Sequence, residues 1–157
     1  MSTMTLGPRG ARLIKDREVG PGNGPALVAF LPTPADKPTI GWGRAHGVKL
    51  GDTCTPAQAD AWFREDTEHA SRLVNQRMAE TGVRLSQSMF DALVVLTYNL
   101  EIAIQPEHTL GDAWAARDYF GMFRAFSLYT KQAHSDLRGL AIRRANEMSL
   151  FFEDPLP

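Results

Sequence analysis

Two features near the N-terminus carry groups that could act chemically on a bound ligand. Glu18 is expected at the C-terminal end of a short amphipathic helix, immediately before the glycine- and proline-rich run 20–25. Thr39 begins the run Thr39-Ile40-Gly41-Trp42-Gly43, a strand pattern in which glycines leave one face without side chains. The acid can transfer a proton, and the hydroxyl, facing an open cleft, can orient a water molecule.

Taken alone, each feature also fits an ordinary role: a strand punctuated by glycines, and a solvated glutamate at a helix end. In company with later motifs, however, they stand in the order typical of one enzyme family. The chain resembles the phage-type lysozymes, glycoside hydrolase family 24, over nearly its whole length. The resemblance is carried by Glu18, Thr33-Pro34-Ala35, Thr39 to Gly43, Phe90-Asp91-Ala92-Leu93, Tyr98-Asn99, Arg138-Gly139-Leu140, Arg143-Arg144 and Glu147.

The resemblance implies an endolysin that cleaves the β-1,4 bond between N-acetylmuramic acid and N-acetylglucosamine in bacterial peptidoglycan, in the service of host lysis. Glycosidases usually pair a carboxylic acid with a second group, normally a carboxylate, that activates water or attacks the sugar. The family's acid matches Glu18, and its water-positioning threonine matches Thr39. Its second catalytic position, an Asp or Cys, matches Thr33, so the usual carboxylate is absent and we expect slower catalysis.

A hydroxyl at Thr33 can orient water but cannot act as an effective base at neutral pH. Asp36, three residues further along the same turn, is a candidate substitute carboxylate, although a solvated turn aspartate is the more ordinary role for it. The missing carboxylate keeps a second function open. The chain would then be a catalytically impaired lysozyme-fold protein that binds glycan or serves as an interaction module.

The resemblance also implies substrate-binding positions. Tyr98 and Asn99 match an aromatic-amide pair that lines the cleft, and such a pair suits an N-acetylated pyranose through stacking and hydrogen bonding. A core tyrosine and a helix-end asparagine remain the alternative. Ala45 and Thr109 match positions at the near and far rims of the cleft.

Four further positions are predicted to form structural ion pairs. Arg44 replaces a histidine that is common in the family, and we expect it to pair with Asp66. Arg143 and Arg144 match a double arginine, one member of which lies near the catalytic glutamate in the family. Glu147 follows them by four and three residues, a spacing that also fits an ion pair on a helix surface.

Composition restricts the partners. Seventeen basic and eighteen acidic residues leave no electrostatic footprint for nucleic acid or an anionic membrane. One cysteine excludes an internal disulfide, and four histidines scattered singly predict no metal site and no cofactor. No apolar run has the length of a signal peptide or a membrane span. We expect a monomer made in the host cytoplasm that reaches the periplasm and cell wall after release by another factor.

At 157 residues the chain fits one domain, 1–157, of α+β, predominantly helical, lysozyme-like fold. A small β-lobe is expected at about 20–54, with helical parts at 1–19 and 55–157 and the glycan cleft between the lobes. Strands are predicted at 26–31, 39–43 and 48–50. Helices are predicted at 11–19, 57–79, from 86 onward as the central core helix, and at 109–117, 119–131 and 137–152, followed by a frayed tail at 154–157.

Overall fold

The computed structural model describes residues 3–18, 20, 23–32, 34, 36–130 and 137–157. Its elements are α1 (Pro8–Arg17), β1 (Ala26–Phe30), β2 (Thr39–Gly41), α2 (Pro56–Thr81), α3 (Gln87–Asn99), a 3-10 turn (Glu101–Ile104), α4 (Thr109–Ala115), α5 (Tyr119–Phe126) and α6 (Leu137–Phe151). The α+β, predominantly helical fold is confirmed. Most helices start at or beside their predicted positions, whereas α5 ends earlier than predicted.

Packing divides the chain into two compact units. The helical unit comprises Met1–Ala11 and Glu68–Pro157, and the β-unit comprises Arg12–Thr67. Both boundaries fall inside helices, one within α1 and the other within α2. Among the described residues, no helix has the length and apolar character needed to cross a bilayer.

The sheet of the β-unit ends in a tight turn. Antiparallel β1 and β2 place Phe30 opposite Thr39. The strand predicted at 39–43 stops at Gly41, because the chain reverses over residues 41–43, named here the glycine turn. Two backbone hydrogen bonds close this turn, from the Ile40 amide to the Arg44 carbonyl (2.9 Å) and from the Arg44 amide to the Ile40 carbonyl (3.0 Å).

The third strand predicted at 48–50 is wrong. Residues 48–49 lie between two turns, at 46–47 and 50–51, and the Asp52 carboxylate accepts a hydrogen bond from the Lys49 amide at 2.8 Å. Asp favours such turns because its side chain satisfies a nearby backbone amide. The segment that follows pairs with β1 instead, where the Cys54 amide donates to the Leu27 carbonyl at 3.0 Å.

A polar and aromatic cluster fastens the glycine turn to both helices of the β-unit. The Lys15 ammonium of α1 and the Trp42 indole both donate to Asp60 Oδ1 of α2, each at 2.9 Å. Lys15 Nζ also lies 4.7 Å from the ring centre of Trp42 and 4.9 Å from that of Phe63, within cation–π range. The hydrogen bonds from Lys15, first, and from Trp42 hold the pKa of Asp60 below its ordinary value.

Helix α1 begins earlier than predicted because a buried carboxylate caps it. Asp91 of α3 is 1% exposed. Its Oδ1 accepts from the Gly7 amide at 2.8 Å and from the Gln87 side chain at 2.7 Å, and its Oδ2 accepts from the Gly10 amide at 3.4 Å. Pro8 fits the first turn, where no amide hydrogen is required.

Helix α3 forms the centre of the helical unit, as predicted. Residues 88–97 are all buried along it. Helix α6 packs against α3. Phe151 of α6 also makes an edge-on ring contact with Phe126 of α5, at 5.6 Å between ring centres. The frayed tail predicted from residue 154 is wrong at its first position. Asp154 accepts from the Ser88 amide at 2.8 Å and pairs with Arg9 at 3.1 Å.

Replacing Asp91 tests the cap on α1. Asp91→Ala leaves the half-buried Gly7 amide and the buried Gly10 amide without their side-chain acceptor, so we expect the free energy of unfolding to fall by about 2–4 kcal/mol. Urea unfolding followed by circular dichroism measures this. The control is Asp16→Ala, at an exposed position on α1, which should stay within about 0.5 kcal/mol of wild type. Equal losses in the two variants would contradict the cap.

The lowered pKa of Asp60 predicts a pH-dependent contribution to stability. The ionised carboxylate stabilises the fold above the unfolded-state pKa, near pH 4, and this contribution is lost as the pH falls through the lower folded-state pKa. Asp60→Asn should therefore be less stable than wild type at pH 7, and the gap should narrow as the pH falls below the unfolded-state pKa. Urea midpoints from tryptophan fluorescence measure the gap. A gap independent of pH would contradict the assignment.

Candidate functional site

Glu18 is held at the end of α1 by the helix that precedes it. Its amide donates to the Ile14 carbonyl at 3.0 Å, so the backbone continues the helical pattern one residue past Arg17. The side chain is half-buried. Lys15, one turn earlier, is fixed to Asp60, and that contact limits the rotation of the last turn of α1.

The carboxylate of Glu18 lies directly against the glycine turn. A β-carbon at Gly43 would stand 2.6 Å from Glu18 Oε2 and 2.9 Å from its Cδ. Gly43 has φ +92°, a backbone conformation that side-chain-bearing residues rarely adopt. Folding therefore brings together the two features that the sequence separates by about twenty residues, the helix-end acid and the glycine-rich run.

Thr39, whose hydroxyl is predicted to hold water, lies on the strand that leads into the glycine turn. Thr39 is half-buried at the first position of β2, two residues before the glycine turn. Asp36 lies in the connection between the strands and is half-buried. Thr33, the position matched to the missing carboxylate, lies outside the described residues, so its role remains a prediction from the sequence.

Arg44 has a nearer partner than the one predicted. Its Nη1 lies 2.6 Å from Glu65 Oε2 and 3.8 Å from Asp66 Oδ1. Its guanidinium carbon also lies 5.4 Å from the centre of the Trp62 ring. Arg44 thus ties the exit of the glycine turn to α2, and Glu65 is the partner that sequence reasoning missed. Ala45, the predicted rim position, follows it and is half-buried.

In the helical unit, one predicted arginine position meets one predicted substrate position at the end of α3. Asn99, the last residue of α3, accepts a hydrogen bond through Oδ1 from Arg144 Nη2 of α6. Asn99 is exposed and Tyr98 is half-buried, so both can meet solvent or a ligand. Arg143 is half-buried beside them in sequence, and Thr109 is exposed at the start of α4.

The interpretation of Arg144 and Glu147 as a helix-surface pair is wrong. Arg144 is 2% exposed and Glu147 is fully buried, and Nη1 meets Oε2 at 2.7 Å. Burial is the main cause that lowers the pKa of the Arg144 guanidinium, whereas Glu147 opposes the shift. The helical spacing of the two residues was visible in the sequence, but nothing local showed that α6 turns this face towards the core.

Together these side chains provide a half-buried acid, a strand-entry hydroxyl and a glycine-lined surface within the β-unit. The acid and the glycine turn are in contact, and a carboxylic acid beside a surface without side chains can transfer a proton to a bound ligand. Among the described residues, no three His, Cys, Asp or Glu side chains form a group that could hold a metal ion. Sequence reasoning missed Lys15 and Asp60. The only sequence signal for them was that a lysine of α1 could pair with the tryptophan of the glycine run.

Comparison with known proteins identifies the family. The phage lysozyme family matches residues 26–147. An endolysin of Acyrthosiphon pisum secondary endosymbiont phage 1 is 32% identical over 117 residues, covering 72% of this chain and 78% of that protein.

Solved structures agree with that match. An endolysin from Escherichia coli O157:H7 phage FAHEc1 superposes with a TM-score of 0.76 at 30% identity, over 99% of this chain and 98% of its own. The muramidase domain of SpmX from Asticaccaulis excentricus gives a TM-score of 0.78 at 26% identity, over 96% and 99% of the two chains. The matched stretch takes in the glycine turn and every later element up to Glu147, and this chain belongs to the phage lysozyme family.

Proposed function

We propose that this protein is a peptidoglycan hydrolase that cleaves the β-1,4 bond between N-acetylmuramic acid and N-acetylglucosamine, with Glu18 as the proton donor. The observation that carries the assignment of the acid is the contact of its carboxylate with Gly43. Membership of the phage lysozyme family supports the enzymatic function over the glycan-binding alternative. The family match begins at residue 26, so the choice of Glu18 depends on its geometry and on the order of motifs.

Glu18 acts on the leaving group. Its protonated carboxyl donates the proton to the glycosidic oxygen as the bond from that oxygen to the anomeric carbon breaks. Water attacks the anomeric carbon and forms the new carbon–oxygen bond. The proton that this water loses passes to bulk water, and the Glu18 carboxylate takes up a proton from bulk water before the next turnover. The half-buried position of Glu18 leaves one side open to the glycan while its backbone stays in the helix.

Hydroxyl groups hold the attacking water. Thr39, fixed at the entry of β2 by pairing with Phe30, provides one hydrogen-bonding group, and Thr33, placed by sequence alone, provides the second. Neither hydroxyl removes a proton from water at neutral pH. Asp36 would supply a carboxylate only by moving from the strand connection towards Glu18.

Other residues bind the polymer. Asn99 and Tyr98 at the end of α3 offer an amide and an aromatic face to N-acetylated sugars, and Arg144 orients the Asn99 side chain through its hydrogen bond. Ala45 and Thr109 contribute rim contacts. The protein acts on the cell wall as a monomer, after release to the periplasm by another factor.

Removing the acid tests the proposal directly. Glu18→Gln keeps the shape of the side chain but cannot protonate the leaving oxygen, so muropeptide release from purified peptidoglycan should fall by about 10²–10⁴-fold. Reducing-end assays and mass spectrometry of the products measure the release. Chitooligosaccharide binding should be retained in the variant, which separates lost chemistry from lost folding.

The alternative function, a glycan-binding module, predicts a different result in the muropeptide-release assay. A glycan-binding module would bind chitooligosaccharide in both forms and release nothing from peptidoglycan in either. Activity in the wild type that Glu18→Gln leaves intact would move the proton donor to another residue.

A second pair of variants identifies the group that holds water. Thr39→Val removes the hydroxyl at nearly constant volume, and we expect kcat to fall by about 10-fold or more, the order of one lost water contact in the transition state. Asp36→Asn should remain within about threefold of wild type. The reverse ranking, measured on the same soluble peptidoglycan fragments, would assign the second catalytic role to Asp36.

A further inference from the structure

We infer that Gly43 is a positioning residue for Glu18: the missing β-carbon leaves the notch in which the catalytic carboxylate is held. The inference rests on the proposed function of Glu18. It extends that function to a residue that makes no contact through a side chain of its own. The notch is defined here as the space beside Gly43 that Glu18 Oε2, Cδ and Cγ occupy.

The distances leave no room for a side chain at this position. A β-carbon at Gly43 would lie 2.6 Å from Oε2, 2.9 Å from Cδ and 3.2 Å from Cγ of Glu18. The first two separations are shorter than van der Waals contact permits, since carbon atoms pack at about 3.5–4.0 Å. Any substitution at Gly43 must therefore displace the outer half of the Glu18 side chain.

Neither backbone can move to relieve the clash without losing other contacts. The Glu18 amide is bonded to the Ile14 carbonyl at 3.0 Å. The glycine turn is closed by the two hydrogen bonds between Ile40 and Arg44, and Trp42 is bonded to Asp60. The atoms that a β-carbon at Gly43 would meet are the outer atoms of the Glu18 side chain, and the end of a flexible side chain shifts more readily than either backbone.

This geometry separates the cost in stability from the cost in activity. Shifting the end of one flexible side chain costs less in folding than moving the backbone of the glycine turn, whereas a displacement of about 1 Å of a catalytic group can lower the rate by about 10²-fold. A purely structural glycine would show the reverse pattern, with lost stability and retained turnover in the molecules that fold. The ratio of the two effects therefore identifies a positioning role.

The chain offers a matched control in Gly51. Its φ of +89° is nearly that of Gly43, at +92°, but a β-carbon there would meet nothing within 4 Å. Alanine at either position carries the same cost of a positive φ. Only alanine at Gly43 meets a carboxylate.

The experiment compares Gly43→Ala, Gly51→Ala and wild type on soluble peptidoglycan fragments. We expect both variants to lower Tm by about 3–6 °C, as a positive φ for alanine requires in a domain of this size. In Gly43→Ala alone, kcat should fall by about 10–100-fold with KM within about twofold of wild type. Turnover of Gly43→Ala equal to that of Gly51→Ala would overturn the inference.

A stability cycle tests the notch without using activity. Any extra loss of Tm in Gly43→Ala over Gly51→Ala should disappear when both are made in a Glu18→Ala background, because the clashing atoms are then absent. An extra loss that persists there would overturn the inference. Wild type that releases nothing from peptidoglycan would refute the proposed function and the catalytic consequence of the notch, and the cycle would still decide whether Gly43 seats the carboxylate.

Discussion

The glycine turn is the constraint on which the site of the β-unit depends. Its two hydrogen bonds between Ile40 and Arg44 require the chain to reverse over three residues, with positive φ at Gly41 and Gly43. Each positive φ would cost a side-chain-bearing residue about 1–2 kcal/mol. The same conformation that closes the turn also leaves the space for the Glu18 carboxylate, so backbone geometry and placement of the acid have a single origin.

Helix α1 can present Glu18 only because each of its ends is anchored by a carboxylate from elsewhere in the chain. A ten-residue helix is marginal in water without tertiary contacts. Asp91 satisfies amides at its beginning, and Asp60 binds Lys15 one turn before its end. Lys15 also covers the Trp42 ring, so the contact that steadies the helix steadies the turn as well. The end of α1 that carries Glu18 and the glycine turn are therefore held by the same contacts.

Sequence patterns predicted what local chemistry determines. Thr55 and Pro56 marked the start of α2, and the reciprocal bonds between Thr55 and Gln58 show why. The apolar run from residue 88 marked α3 as the core helix. Patterns failed where a partner distant in sequence determines the local structure. Asp91 extends α1 at its start, and Asp154 anchors the C-terminal tail. Arg144 and Glu147 face the interior. The notch could not be predicted from the sequence, because the missing β-carbon of Gly43 matters only next to the Glu18 carboxylate, and the sequence does not show that the two are neighbours.

In the proposed reaction, Thr33 stands where the resembled family usually has a carboxylate, and this would increase the importance of that notch. A water molecule held only by hydroxyls keeps its proton until late in the reaction, so attack on the anomeric carbon begins after the glycosidic bond has largely broken. The barrier of the proposed reaction is then set mainly by proton donation to the leaving oxygen, the step assigned to Glu18. Proton transfer needs donor and acceptor within about 2.6–3.2 Å. A site that relies on one acid is therefore more sensitive to the position of that acid than a site with two, and the inferred role of Gly43 is to help set this position by leaving space for the carboxylate.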